Sequence, residues 1–423
     1  MDNNTEKKKL LILGGDYTEC CIVERAKALG FYTIVTDYHT DWRLSPAKQM
    51  ADEGWDISWS DIPMLEANCL SAGVQGVLAG FSEFRVENMI RLCDKLHLPC
   101  SLTMHQLDVT RDKLLFKQTC RKYGIPTVKE HRIDDVKTYP VIIKPVDRAG
   151  SIGINVARNS EELNRFCDYA KSLSPSSSII IEDFIEDGTK FDVYYYVKDG
   201  EIFFLGSSDT IMCKGETGAK ILQKCWPFKS RYEEKYLNTA DYLVREMFKG
   251  LGIRNTYATL SAFYQDGEFR FFETGFRLSG EMSYNYYEHL TGINYMDSMI
   301  RYAAGDPDST DYKEESSASF SIVLNFFLTD GIVGKIEGVG ELQSCKAVRR
   351  INTYIKEGDT VKNATDVYKK GVMVTIIADS LEDLNKTVAL VNARLDVLDT
   401  AGISMIYERV TKNELDEYYL GLQ

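Results

Sequence analysis

The 423-residue sequence lacks the features that mark several classes of protein. Its longest apolar runs, such as residues 371–378, are far shorter than the roughly 20 residues that a membrane-spanning helix needs. Its 10 cysteines include no CxxC pair, which argues against a zinc site or a dithiol redox motif. It has 50 Lys and Arg against 63 Asp and Glu without a basic cluster, and this net charge of −13 disfavours binding to nucleic acid or anionic membranes.

The composition is that of a compact protein of enzyme size. Apolar residues make up 44% and charged residues 27% of the chain, close to globular averages. Residues 1–9 are polar and unlike a signal peptide, so the expected location is the cytoplasm. In that compartment the cysteines are expected to be reduced, small core residues.

The pattern along the chain predicts an α/β region, an α+β region and a third, strand-rich region. Residues 1–107 alternate short apolar runs with amphipathic stretches, which is typical of a Rossmann-like domain with a parallel sheet. Strands are predicted at residues 9–13, 32–37 and 75–79, and a long helix at 82–98. After the first strand only Gly14 and Gly15 stand where a dinucleotide site needs three glycines, so nicotinamide binding has weak support.

A mixed α+β domain is predicted for residues 108–312 and a C-terminal α+β domain for residues 313–423. Residues 211–230 show neither helical nor strand periodicity and are expected to form a long loop, a candidate substrate lid. The other elements are predicted helices at 111–123, 231–249 and 381–394, strands within 178–206, and a hairpin at 255–272.

Two lysines begin the predicted chemistry of the second domain. Asp112 and Lys113 open a helix that carries Lys117 four residues later. Residues at this spacing share a helix face, so both ammonium groups can point into one cleft. A solvated helix face explains the pattern too.

A third lysine, Lys144, interrupts the apolar strand at residues 140–145. A lysine buried in a strand needs an anionic partner. The loop that follows contains Gly150, Ser151 and Gly153, whose backbone N–H groups can surround phosphate oxygens. Lys144 and the loop after it together favour a phosphate site. The alternative is an edge-strand lysine whose ammonium group reaches solvent.

Glu273 places a carboxylate on an aromatic strand face. Such a carboxylate needs a cation, and Mg²⁺ that bridges to phosphates is a natural partner. A structural ion pair between Glu273 and Arg277 is the alternative.

The order of these three signals resembles the ATP-grasp superfamily, in particular its biotin carboxylase and carbamoyl phosphate synthase-like branch. The resemblance covers nearly the whole chain and implies an ATP-grasp fold with a Rossmann-like pre-grasp domain and a C-terminal β-rich domain. It implies that the nucleotide phosphates are bound by Lys113, Lys144 and the loop with Gly150, Ser151 and Gly153.

The resemblance also implies adenine and ribose contacts. The adenine-reading hinge lies in the segment IIEDFI and comprises Glu182, Asp183, Phe184 and Ile185. The ribose contact is Lys190 or Asp192, with Asp192 preferred.

The segment EFRFFETGFR stands where the family has a strand ending in E-x-N-x-R. This makes Glu273 the metal ligand and Arg277 the residue that stabilises charge near the reacting group. Glu281 aligns with a carboxylate that acts as a base in biotin carboxylase-like members, so we assign it as a base or substitute ligand. A surface glutamate that opens the next helix is the alternative.

Two departures weaken the expected metal site. Gly275 stands where family members have Asn. Ser261 stands where they have the second metal carboxylate, and a tight two-residue turn would place Leu260 opposite Glu273 instead. Neither Ser261 nor Leu260 has a carboxylate side chain.

The resemblance implies ATP and Mg²⁺ as cofactors and a ligase that activates a small carboxylate as an acyl phosphate and joins it to an amine. An ATP-binding protein with weak or no catalysis and a bicarbonate-using carboxylase are the alternatives. The expected partners are small molecules, with a homodimer as the usual prior. Substrate contacts are expected from residues 212–227 and from the tyrosines at 283–288, although helix packing is the favoured explanation for the tyrosines.

Overall fold

The N-terminal region of the computed structural model is a parallel sheet covered by helices. The structure describes residues 7–148, 152–186, 188–213, 222–308, 310–312, 320–363 and 369–420. The strands are β1 Lys9–Leu13, β2 Tyr32–Thr36, β3 Glu53–Trp55 and β4 Gly76–Leu78, in the order β3-β2-β1-β4. The helices are α1 Cys20–Ala28, α2 Pro46–Met50, α3 Ile62–Ala72 and α4 Glu83–Leu96. Helices between successive strands make parallel pairing possible, and β1 is apolar because it is buried in the centre.

A small antiparallel sheet with one covering helix follows. Two helices lead into it, α5 Met104–Arg111 and α6 Lys113–Lys122. Its strands are β5 Glu130–His131, β6 Val141–Pro145, β7 Asn155–Ala157 and β8 Ile179–Asp183, in the order β5-β8-β6-β7. Helix α7 Ser160–Leu173 packs on β6 and β7 and begins where the Asn159 side chain accepts a hydrogen bond from the Glu162 backbone N–H.

An eight-stranded sheet runs through the rest of the chain, in the order β13-β12-β9-β10-β11-β14-β18-β16. Its middle-region strands are β9 Thr189–Lys198, β10 Glu201–Met212, β11 Gln223–Phe228, β12 Thr256–Gln265 and β13 Glu268–Gly275. Its C-terminal strands are β14 Phe320–Leu328, β16 Val348–Thr353 and β18 Lys369–Ala378. Because β11 pairs with β14, one continuous sheet joins the second and third predicted domains, whose boundaries stay predictions.

The remaining elements cover this sheet. The helices are α8 Glu233–Thr239, α9 Asp241–Leu251, α10 Tyr284–Thr291, α11 Tyr295–Ala303, α12 Val339–Gln343, α13 Leu381–Arg394 and α14 Lys412–Leu420. A three-stranded sheet in the order β17-β15-β19 is made of β15 Gly331–Glu337, β17 Thr360–Val361 and β19 Asp396–Asp399. Within the described ranges, the helices are all too short or too polar to cross a bilayer.

The prediction of a long loop at residues 211–230 is wrong at both ends, and its middle, residues 214–221, lies outside the described residues. In the described part of this stretch, β10 extends to Met212 and β11 covers Gln223–Phe228. The strand pattern is hidden by Lys224, which is buried inside β11 because carboxylates of Glu408 and Glu414 neutralise its ammonium group.

Two predicted helices are also divided. The helix expected at 111–123 begins at Lys113, and a separate helix precedes it, because the Asp112 side chain caps the new helix by accepting from the backbone N–H groups of Leu114 and Leu115. The helix expected at 231–249 breaks at Ala240 into α8 and α9.

The cysteine and tyrosine predictions are settled by burial. All ten cysteines are free, and seven of them are buried, as expected for reduced core residues. Tyr284, Tyr286 and Tyr287 are buried in a large aromatic cluster and line neither of the cavities described below, so helix packing accounts for them.

Candidate active site

Two neighbouring cavities lie on the eight-stranded sheet. The inter-sheet cavity, about 300 Å³, lies between the small sheet and the eight-stranded sheet. The sheet-face cavity, about 160 Å³, lies on β9, β11, β12, β13 and the residues after β13. Lys190, Gln223 and Glu273 line both cavities and so form the boundary between them.

Lys144 reaches the inter-sheet cavity from β6, and its anionic partner is Glu182. The Lys144 Nζ lies 2.6 Å from Glu182 Oε2, and Lys117 forms an ion pair with the other carboxylate oxygen. Although burial acts to raise the pKa of Glu182, the two lysines lower it below its ordinary value. Glu182 is only 2% exposed, so its carboxylate is occupied by the two lysines and is not directed into the cavity. We infer that its role is to position these lysines.

Lys113 lies at the first position of α6 and lines the same cavity. Its Nζ donates to the Arg148 carbonyl oxygen at 2.9 Å. Burial lowers the pKa of Lys113, and the nearby Lys144 ammonium lowers it further. The prediction that Lys117 shares this cleft is wrong, because its ammonium turns inward to Glu182 and is buried.

Three residues of the predicted adenine hinge, Asp183, Phe184 and Ile185, line the same cavity. The backbone N–H groups of Asp183 and Phe184 donate to the carbonyls of Lys129 and Pro140, at 3.0 and 3.3 Å. Among the described residues, the Ile185 N–H has no backbone acceptor, so it is the free donor of the hinge. The apolar walls beside it are formed by Val128, Ile142, Ile154, Met212, Phe263 and Phe272.

The predicted phosphate loop is described only in part. Gly150 and Ser151 lie outside the described residues. Gly153 has φ +77°, and a Cβ there would lie 2.9 Å from the Pro145 side chain, so the turn requires glycine. Ile154, the next residue, lines the inter-sheet cavity.

A β-bulge decides which residue lies opposite Glu273. The register of β12 and β13 shifts between Ser261 and Ala262, which places Ser261, and not Leu260, opposite Glu273. The Ser261 hydroxyl donates to Asp192 on the next strand, and Lys190 Nζ lies 2.6 Å from the same carboxylate. Asp192 therefore lies in the sheet-face cavity, paired with Lys190.

Glu273 is the exposed carboxylate at the boundary of the two cavities, and it has no ion-pair or hydrogen-bond partner among the residues that the structure describes. No group of three metal-ligating side chains lies together in those same residues. Mg²⁺ is commonly held by one or two carboxylates together with substrate phosphates. The donor set therefore fits a metal ion that takes one protein ligand, Glu273, and completes its shell with phosphate and water oxygens.

Arg277 and Glu281 line the sheet-face cavity. The Arg277 Nη2 lies 3.3 Å from Glu83 Oε1 of α4, so the alternative ion pair of Arg277 with Glu273 is wrong. Glu281 Oε1 accepts a hydrogen bond from the Ser283 hydroxyl at 3.2 Å, and Glu281 precedes α10 instead of opening it on the surface.

Sequence reasoning missed Glu83 and Gln223. Glu83 comes from the N-terminal region, where no motif marks it, and its contact with Arg277 spans almost 200 residues of sequence. Burial raises the pKa of Glu83 while the Arg277 guanidinium acts against that rise. The sequence pattern predicts a loop at Gln223. The pairing of β11 with β10 makes it part of a strand and brings it to the cavity boundary.

The chain is similar to proteins of known function. A family model described as D-ala D-ala ligase C-terminus matches residues 115–244. The formate-dependent phosphoribosylglycinamide formyltransferase of Francisella tularensis subsp. novicida is 24% identical over 250 residues, 51% of this chain and 63% of that protein. The chain thus matches less than two thirds of that relative's length.

Two solved structures show the fold. The L-amino acid ligase from Bacillus licheniformis has a TM-score of 0.77 at 18% identity and covers 93% of this chain and 99% of its own. The biotin carboxylase domain of the Hydrogenobacter thermophilus 2-oxoglutarate carboxylase, solved with MgADP, ADP and bicarbonate, has a TM-score of 0.75 at 18% identity over 98% of both chains. The whole described architecture, with its parallel N-terminal sheet and its long antiparallel sheet, is therefore a known fold.

Proposed function

We propose that this chain, a member of the ATP-grasp superfamily by its fold and motifs, is an ATP-dependent ligase that joins a small carboxylate to an amine. One observation carries the proposal. The cavity that holds Lys113 and Lys144 meets the cavity that holds Arg277 at a single boundary, where Glu273 is exposed. A phosphoryl donor in the first cavity and a carboxylate in the second would have their reacting groups at this boundary.

The inter-sheet cavity has the chemistry of a nucleotide site. A flat base fits between its apolar walls, with the Ile185 N–H as donor and the hinge carbonyls as acceptors. Lys113 and Lys144 lie nearer Glu273 and supply two positive charges for phosphate oxygens. The pairing of Lys144 with Glu182 fixes its ammonium before a nucleotide arrives, which reduces the cost of ordering it.

Mg²⁺, when bound, would neutralise charge on the nucleotide phosphates, and Glu273 is the residue that would hold it. Asp192 is paired with Lys190 and Ser261 and lines only the sheet-face cavity of the two, so we assign it to that cavity instead of the ribose. Lys190 lines both cavities and adds a third positive charge where the two cavities meet.

The reaction requires two displacements. An oxygen of the substrate carboxylate attacks the γ-phosphorus, the bond to the β-phosphate bridging oxygen breaks, and ADP leaves. An amine nitrogen then attacks the acyl carbon, inorganic phosphate leaves with the C–O electron pair, and the nitrogen loses a proton. Arg277 is placed to stabilise the acyl phosphate, and Glu281 is placed to accept the proton.

Phosphate release from Mg-ATP tests the proposal. We expect release that depends on one member of a pool of amino acids and small carboxylates, with an amide product in mass spectrometry. Lys144→Ala is expected to lower the rate at least 100-fold, since phosphoryl transfer depends on charge neutralisation. Lys171→Ala, which changes an exposed lysine on α7, is the matched control.

ATP binding without release from any pool would instead favour a nucleotide-binding protein without efficient catalysis. The observation behind that second candidate is the replacement of two expected metal-site residues by Ser261 and Gly275. Normal turnover in a folded Lys144→Ala protein, as judged by circular dichroism, would contradict the assignment of the nucleotide site.

A further inference from the structure

Lys370, which no motif identifies, places a positive charge beside the sheet-face cavity from the C-terminal region. It lies on β18, two strands away from β11 in the eight-stranded sheet. Its Nζ is 5.7 Å from the ring centre of Trp226 and 5.7 Å from that of Tyr354. Trp226 lines the sheet-face cavity together with Arg277 and Glu281.

The Lys370 ammonium group has no ion-pair or hydrogen-bond partner in the described part of the chain, although the side chain is half-buried. A lysine ammonium carries three donors, so the half-buried Lys370 keeps donors available for an incoming anion. The Trp226 and Tyr354 rings attract its positive charge and hold it in place beside the cavity. Burial lowers the pKa of Lys370, and the carboxylate of Glu281 acts against that shift, so Glu281 lies within electrostatic range.

A second polar atom on the same face of the sheet, the Asn325 amide oxygen, also lacks a partner among the described residues. Trp226 pairs with Val323 on β14, and Asn325 lies two residues further along that strand, on the same face. The Asn325 side chain is 2% exposed, and its Nδ2 donates to the Gln223 carbonyl at 2.8 Å, while its Oδ1 has no hydrogen-bond partner. Because Gln223 lines both cavities, this buried amide is attached to the cavity wall.

We propose that Lys370, next to the cavity-lining Trp226, is an anion-binding, specificity-determining residue at the edge of the sheet-face cavity, and that the substrate is an acidic amino acid with a second carboxylate. The proposal rests on the function proposed above and adds the class of substrate. Arg277 lies near the carboxylate that reacts, and Lys370 binds the remaining carboxylate from beside Trp226. Asn325 supports this site from behind, because its amide holds the Gln223 backbone at the cavity wall.

Equilibrium binding tests the proposal without any need for turnover. Isothermal titration calorimetry would measure L-aspartate and L-glutamate against their uncharged counterparts L-asparagine and L-glutamine, in the presence of a non-hydrolysable ATP analogue. We expect at least one acid to bind tenfold or more tightly than its amide. In Lys370→Met, which keeps the length of the side chain, this preference is expected to fall to less than twofold.

Lys369→Met, at the exposed neighbouring position, is the control and should keep the preference. Equal binding of acid and amide by the unaltered protein, no binding of any of the four compounds, or a preference that survives in Lys370→Met would each overturn the proposal. These results are independent of phosphate release. Acid-selective binding without release would contradict the ligase alone, and release with only neutral substrates would contradict the role of Lys370 alone.

Discussion

The two cavities differ in how their charges are balanced. In the inter-sheet cavity, Lys144 is paired with Glu182, and Lys113 donates to a backbone carbonyl. The sheet-face cavity contains paired charges too, Arg277 with Glu83 and Asp192 with Lys190. At its boundary and its edge, however, Glu273 and Lys370 have no such partner among the described residues. The lysines of the first cavity are thus held in place before a ligand binds, whereas Glu273 and Lys370 keep charges that a ligand would neutralise.

This difference suggests different tolerances to substitution. A residue of the inter-sheet cavity supports the local fold as well as the ligand, so changing it should affect both stability and binding. A residue with an unpaired charge contributes little to stability, so changing it should affect ligands and activity with the fold intact. The predictions below separate these two behaviours.

The largest effect is expected for Arg277→Ala. Removing the guanidinium should lower kcat by about 100-fold, because the group stabilises charge that develops during the reaction. The affinity for a non-hydrolysable ATP analogue should change by less than about threefold, since Arg277 lines only the sheet-face cavity. Steady-state kinetics with calorimetry of the analogue measures both quantities. If the affinity for the analogue fell as much as kcat, the claim that the two cavities have separate roles would be contradicted.

Glu182→Gln should destabilise the protein by about 3 kcal/mol, because it leaves Lys144 without its carboxylate and the buried Lys117 with only the more distant Glu130, at 3.7 Å. Urea denaturation gives the free energy of unfolding. A double-mutant cycle with Lys117→Met, which removes the second buried charge, should recover part of the loss. Full stability in Glu182→Gln would mean that the three charges do not support the fold.

The same variant has a predicted pH dependence. The pKa of folded Glu182 is lowered, so its contribution to stability is fully present above its unfolded pKa of about 4.3 and is lost as the pH falls to its folded pKa. The stability difference between the unaltered protein and Glu182→Gln should therefore shrink below about pH 4. A constant difference over that range would contradict the ion-pair account.

Glu273→Gln is expected to have a smaller effect. It should raise the Mg²⁺ concentration needed for half-maximal activity by about tenfold, since one carboxylate ligand is lost and the phosphates remain. The midpoint of urea denaturation should not move, because the side chain is exposed and unpaired among the described residues. Asp192→Asn serves as the comparison, and an equal shift in its Mg²⁺ requirement would make Asp192 a second ligand.

The smallest effect concerns Cys213, which follows Met212 of the inter-sheet cavity. Burial raises the pKa of this thiol to about 12, so at pH 8 only about one thiol in ten thousand is ionised. Alkylation by iodoacetamide, followed by mass spectrometry, should be far slower in the native protein than in urea. Rapid native labelling of Cys213 would show that this end of the cavity opens readily.

The inter-sheet cavity could be anticipated in part because several of its residues lie in short motifs. Lys144 stands out as a charge in an apolar strand, and Asp112 precedes a helix where a cap is expected, so local patterns place both. The predicted hinge residues Asp183 to Ile185 lie at the end of β8, directly after the apolar run that predicts this strand. For such residues, chain connectivity fixes most of the geometry.

The other side could not be predicted, because pairing of distant strands builds it. Ser261 lies opposite Glu273 only through a bulge, and Lys370 meets Trp226 only because β14 joins the middle and C-terminal strands in one sheet. Lys224 concealed a strand because its neutralising carboxylates come from almost 200 residues away. Long-range pairing leaves no local signal in sequence.

Transfer of isotope from substrate to phosphate tests the central claim most directly. The carboxylate substrate found in the phosphate-release experiment would be labelled with ¹⁸O in its carboxyl group, and the released phosphate would be examined by mass spectrometry. Activation as an acyl phosphate transfers one carboxylate oxygen to each phosphate, so we expect one ¹⁸O atom per phosphate released. Unlabelled phosphate would contradict the account, because the carboxylate oxygen would then never have bonded to phosphorus.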